Sequence, residues 1–100
     1  MTINKQQNGT ALTLAVEGRL DTITSPELEA ALKESLEGID ALTFDFSALD
    51  YISSAGLRVL LSAQKQMNKQ GSMKVTGVSE IIMEIFEVTG FTDLLTIEQA

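Results

Sequence analysis

Ser53 and Ser54 head the run Ser-Ser-Ala-Gly, directly after an alternating apolar stretch, Leu42, Phe44 and Phe46, and a polar turn. The pattern predicts a strand, a turn and a helix beginning at the serines. That places two hydroxyls where backbone N–H groups lack partners and the helix dipole is positive, a position that favours anions. A serine nucleophile would need a base within reach, and the chain has no histidine and no Gly-x-Ser-x-Gly around Ser54. A phosphate-binding loop wants several glycines and a lysine ahead of the helix. Here Gly56 follows the serines and the next positive side chain is Arg58. The four residues by themselves also describe a helix N-cap followed by a glycine needed for packing. Asp45 and Asp50 are a second candidate, as a metal pair, but a strand residue facing solvent and a turn residue bonded to its own backbone account for them. No metal site and no cofactor site is assigned.

The serines need a frame, and the rest of the chain predicts one. Thr2–Gln7 and Ala11–Gly18 read as extended segments around Asn8-Gly9-Thr10, because Asn-Gly tolerates the positive φ of a tight hairpin. The first offers only Ile3 for burial and is expected at a sheet edge. In the second, Leu12, Leu14 and Val16 alternate with Thr13, Ala15 and Glu17, the period of a strand with one packed face. Thr24-Ser25-Pro26-Glu27 announces a helix to about Glu37, with Ser25 as cap, Pro26 in the first turn and Leu28, Leu32 and Leu36 as its buried stripe. Ala41–Phe46 is the next strand. The serine-headed helix then runs to about Gln70 and Gly71, burying Leu57, Leu60, Leu61 and Met67 and exposing Arg58, Ser62, Lys65 and Lys69. A short strand at Lys74–Thr76, a helix capped by Ser79 and ending before Gly90, and a strand at about Leu94–Ile97 complete the order. Helices that repeatedly connect strands imply an α/β fold with a mostly parallel or mixed sheet of about five strands, helices packed against it, and residues 1–100 as one domain.

Composition bounds the partners. Without cysteine or histidine, disulfides, thiolate or imidazole metal sites and imidazole catalysis are excluded. Seven basic against fourteen acidic residues give a formal charge of −7, which repels phosphate backbones and anionic lipid. Nucleic acid and membrane are therefore not expected as partners, and a protein with a basic patch is. Met1–Gly9 has no apolar leader core, and a cytoplasmic location is the expectation.

The stretch DFSALDYISSAGLRVLL, with Gly18-Arg19-Leu20-Asp21 upstream and GVSEIIMEIFEVTGFTDLLTI downstream, resembles the STAS domain, specifically the stand-alone bacterial anti-sigma factor antagonists. The likeness spans nearly the whole chain in the expected order. It implies a binding module with no catalysis of its own. Its partner would be an anti-sigma factor that is also a serine kinase with a histidine-kinase-like ATPase fold. The unphosphorylated antagonist would bind that kinase and free the sigma factor, phosphorylation at the helix start would end binding, and a metal-dependent serine phosphatase would restore it. Laid over the family pattern of acid, acceptor serine, small or hydroxyl residue and glycine, the acceptor falls on Ser54, with Ala55 and Gly56 after it. Ser53 takes the acidic position and is the second candidate acceptor. Asp21, Thr22, Ser53, Ser54, Ala55, Gly56 and Arg58 form the expected partner surface. Two other uses of such a domain stay open, an interaction module in another phospho-signalling pathway and a small-molecule sensor.

Overall fold

The computed structural model describes residues 1–99. Strand β1 (Thr2–Asn8) and strand β2 (Ala11–Leu20) form the antiparallel hairpin expected from Asn8-Gly9, in a register that pairs Asn8 with Ala11 and Thr2 with Glu17. Helix α1 (Ser25–Ser35) leads to strand β3 (Ala41–Asp45), which pairs parallel to the first half of β2 from Ala11↔Ala41 to Ala15↔Asp45. Strand β4 (Leu49–Ile52) follows at once and feeds helix α2 (Ser54–Gln70). Strand β5 (Ser72–Val78), helix α3 (Glu80–Thr89), a single 3-10 turn (Phe91–Asp93) and strand β6 (Ile97–Gln99) close the chain. The sheet order is β1-β2-β3-β5-β6 with β4 added beside β2, so β1 is an edge strand and every pairing except the hairpin is parallel.

Strand alternation decides which face is packed. Leu12, Leu14, Val16, Leu42, Phe44, Met73 and Val75 are buried, whereas Thr13, Ala15, Thr43, Asp45 and Thr76 between them are half-exposed. The buried face joins Leu28, Leu32 and Leu36 of the α1 segment, Leu57, Leu60 and Met67 of α2, and Ile82 and Phe86 of α3 in one core. Inside it the Phe44 and Phe46 rings meet at 5.7 Å and 47°, within the tilted geometries that aromatic pairs favour. Val59 and Ala63 are also buried. They give α2 a wider apolar stripe than the sequence suggests, because α1 packs against its flank. Leu61, expected in the buried stripe, is only half-buried.

Four further expectations change. The turn between Phe46 and Ser53 contains β4, a sixth strand, which pairs parallel with the far end of β2 through Gly18↔Leu49, Arg19↔Tyr51 and Leu20↔Ile52. A four-residue parallel strand has no local hairpin to announce it; its partner lies far back in the chain. The last strand starts at Ile97 rather than Leu94, because Leu94 N–H and Leu95 N–H both donate to Phe91 O in the turn after Gly90. Asp50 is an exposed residue of β4, and the local bond expected of it belongs to Asp45, whose Oδ1 accepts from Ser47 N–H at 3.0 Å and from the Ser47 hydroxyl. Ser25 does not cap α1, for the reason given below.

Candidate functional site

Two features of α2 fix the serines. Ser53, extended at φ −96° and ψ 175°, is the N-cap, and its Oγ accepts from Gly56 N–H at 3.4 Å. Its own N–H donates to Leu20 O at 2.9 Å, which ties the head of the helix to the end of β2. Ser54 is the first helical residue and is exposed. The N–H groups of Ser54 and Ala55 precede the first helical hydrogen bond, Leu57 N–H to Ser53 O at 2.9 Å, and so face outward with the positive end of the dipole. No acidic residue stands in the first turn to offset it.

Gly56 answers to packing. A Cβ at this position would lie 2.8 Å from Ile52 Cγ1 and 2.8 Å from Leu20 Cγ. The missing side chain lets the helix head sit down on the joined ends of β2 and β4, and Gly56 itself is buried.

Across the helix head runs the loop after β2. Asp21 Oδ1 accepts from Ile23 N–H at 3.0 Å and from Thr24 N–H at 3.1 Å, and Thr24 Oγ1 accepts from Asp21 N–H at 2.8 Å. Together they close the loop from both ends, in the manner of a reciprocal cap. The change at Ser25 follows from where the helix begins. Ser25 is already helical, with its N–H on Asp21 O, and the Glu27 N–H that a cap at Ser25 would serve donates to Thr24 O. Thr24 takes the formal cap position with its hydroxyl turned back onto Asp21 N–H and Arg19 O instead of onto the helix, and the buried Ser25 hydroxyl donates to Asp21 O. The Asp21 carboxyl is held below its ordinary value, first by the Thr24 backbone N–H, against the opposing effect of burial, with Ile23 N–H and Arg19 adding to the lowering. The Arg19 guanidinium reaches Asp21 at 3.7 Å and lies 4.5 Å above the centre of the Tyr51 ring, so it links the loop to β4.

The predicted residues separate accordingly. Thr22, Ala55 and Arg58 line one groove between the loop, α1 and α2, together with Ser25, Pro26 and Glu29. Ser54, Thr22 and Arg58 are exposed; Ser53 and Ala55 are half-buried. Asp21, half-buried, turns its Oδ1 onto its own loop, and Gly56 is buried beneath the surface that it shapes. Sequence reading missed Thr24, the Arg19–Tyr51 stack and the exposed Ile23. The Asp-x-x-Thr spacing of residues 21–24 was the available signal for the first, whereas the stack depends on the pairing of β2 with β4. Among the described residues no three His, Cys, Asp or Glu side chains group to hold a metal ion, and no helix is long and apolar enough to cross a membrane.

Comparison with known proteins adds four findings. A model of the STAS domain matches residues 2–100. The chain is 30% identical over 97 residues to the anti-sigma-B factor antagonist of Listeria monocytogenes, covering 94% of this chain and 84% of that protein. Its fold is similar to the crystal structure of an anti-sigma factor antagonist from Mycobacterium paratuberculosis, with TM-score 0.89 at 22% identity over 99% of this chain and 86% of that one. It is also similar to the Bacillus cell fate determinant SpoIIAA in its phosphorylated form, with TM-score 0.75 at 13% identity over 96% and 90%.

Proposed function

Because the chain belongs to the STAS domain family and is similar to an anti-sigma-B factor antagonist over nearly its full length, we propose that it is an anti-sigma factor antagonist switched at Ser54. In its unphosphorylated form it binds an anti-sigma factor that is also a serine kinase with a histidine-kinase-like ATPase fold, and the sigma factor is released. The kinase transfers a phosphoryl group: Ser54 Oγ bonds to the γ-phosphorus of ATP, ADP leaves, and the hydroxyl proton passes to a base on the kinase, since this chain has no histidine to take it. A metal-dependent serine phosphatase returns the binding form. The chain is substrate and ligand in this cycle and performs no catalysis. Thr22, Ser53, Ser54, Ala55 and Arg58 meet the partner, with Asp21 and Gly56 holding that surface in shape.

The observation that carries this reading is the contrast at the helix head. The Ser53 hydroxyl accepts the Gly56 N–H as N-cap, while the Ser54 hydroxyl is exposed one residue later beside outward-facing N–H groups. A phosphate brings about −1.5 to −2 charges at neutral pH and is tolerated at a helix N-terminus. A partner packed over the same turn would have to bury that dianion, at a cost of several kcal/mol per uncompensated ion. A loss of about 3 kcal/mol is roughly a hundredfold in affinity. The switch therefore acts on the complex and leaves the fold intact.

The test is to incubate the chain with ATP and the anti-sigma factor kinases of its own genome and to locate the phosphate by mass spectrometry. One phosphate on Ser54 is expected. Modification of Ser53, or none with any of the kinases, overturns the assignment.

A further inference from the structure

We propose that Ile23 is the apolar anchor with which this chain grips its anti-sigma factor, an inference that rests on the antagonist reading above. Ile23 is 87% exposed, more than Val88 at 81%, Ile81 at 62% or Leu94 at 49%, the other large apolar side chains left in solvent among the described residues. Those three belong to α3 and the segment after it. Ile23 alone stands beside the phosphorylation turn: Thr22 before it and Ser25 and Pro26 after it line the groove that Ala55 and Arg58 complete.

Folding has no use for this side chain. The loop that carries it is fastened through the backbone N–H groups of Ile23 and Thr24 on the Asp21 carboxylate, and through the Thr24 hydroxyl on Asp21 N–H. None of these bonds involves the isoleucine side chain, so its identity is free to serve a contact. The same bonds hold the Ile23 backbone before any partner arrives. A β-branched side chain also has few rotamers to lose, and a preordered apolar group gives up little entropy when covered. Interfaces concentrate their affinity in a few such buried anchors surrounded by weaker polar contacts. Here the surrounding contacts are Thr22, Ser54 and Arg58. The occupant is thus an apolar pocket on the anti-sigma factor, lying next to the surface that covers Ser54.

Calorimetric titration of the anti-sigma factor with wild type, Ile23→Leu, Ile23→Ala and Ile23→Asp tests this, with thermal melting of each variant alone and sedimentation of the free chains. The expected result is near-wild-type affinity for Ile23→Leu, a loss of about tenfold or more for Ile23→Ala and a larger loss for Ile23→Asp. Melting temperatures should stay within about 2 °C, as for other exposed substitutions. Retained affinity in Ile23→Ala and Ile23→Asp overturns the inference and leaves the antagonist reading standing. So does a wild-type dimer that these variants dissolve without weakening the complex, because the anchor would then serve a second copy of this chain. A wild type that binds no anti-sigma factor, while folded and unphosphorylated, overturns the parent reading and the anchor with it.

Discussion

Ser53 and Ser54 carry the same hydroxyl, yet their surroundings divide the labour: Ser53 Oγ accepts the Gly56 N–H, and Ser54 faces solvent. The family pattern has an acid where Ser53 stands, and a carboxylate there would accept the same N–H. The cap function therefore survives the exchange, and what the serine lacks is the negative charge. Ser53→Ala should cost about 0.5–1 kcal/mol, the low end for a lost cap because the bond is long, and Ser53→Asp should match or slightly exceed wild-type stability. Chemical denaturation checks both, and an alanine variant as stable as wild type would remove the cap from the account. At Ser54 the expectation is reversed, with little change in stability and a large change in binding. Ser54→Ala should bind the anti-sigma factor and resist phosphorylation, whereas Ser54→Asp, which suits the helix dipole, should bind at least about tenfold more weakly. Equal affinities of the two variants by calorimetry would sink the switch.

At the level of elements, the helix head is positioned by contact with strand ends. Gly56 sits against Leu20 of β2 and Ile52 of β4, and a methyl group there meets Leu20 Cγ, which is not a freely moving side-chain tip, at 2.8 Å. Gly56→Ala should destabilise the chain by about 1–3 kcal/mol through overpacking, despite the better helix propensity of alanine. Because relief would come from lifting the head of α2, phosphorylation of Ser54 should slow in the same variant. A denaturation midpoint equal to wild type would show that the contact yields without cost. At the other end of α2, Gly71 is extended at φ 173°, so no left-handed backbone requires glycine there. What requires it is proximity: a Cβ would stand 1.9 Å from Asp40 O. Next to it, Gln70 Nε2 donates to Leu36 O at 2.7 Å and to Ile39 O at 2.6 Å, using carbonyls at the end of α1 and the turn after it. The helix that presents Ser54 is thus fastened at both ends by groups outside it.

At the scale of the whole molecule, Asp21 and Asp45 each fasten a loop through the carboxylate, and both are held below the ordinary carboxylate value of 3.8. For Asp21 the main cause is the Thr24 N–H; for Asp45 it is the Ser47 hydroxyl, then the Ser47 N–H, with burial opposing both. A lowered folded value means that the unfolded chain takes up protons first on acidification. The stabilisation is complete above the unfolded value near 3.8 and is lost as pH falls below it through the lowered folded values. Melting temperature should therefore be flat in this respect near neutrality and drop below about pH 4. The drop should shrink in the Asp21→Asn, Asp45→Asn double variant. An acid limb of unchanged size in that variant would assign the loss to other groups. Both carboxylates are close to solvent, so the effect is expected to be small beside the core.

The period-two strands, the leucine stripe of α1, the cap at Ser79 and the glycine stops are written in residues a few positions apart, and from them the order of elements and the helix start at the serines follow. Apolar period and capping are local physics, and a short segment carries them whole. Other features arise only when distant segments meet. The pairing of Leu49–Ile52 with the end of β2 has no local signature, yet it draws Ser53 N–H onto Leu20 O and seats Gly56 between Leu20 and Ile52. Asp21 could be read as a surface residue from its type, and only the closed loop shows its carboxylate turned onto Ile23 and Thr24. By itself the sequence determined that a hydroxyl stands at the head of α2. The tertiary structure decided which hydroxyl caps the helix and which faces outward, because that choice is made by the strand ends on which the helix rests.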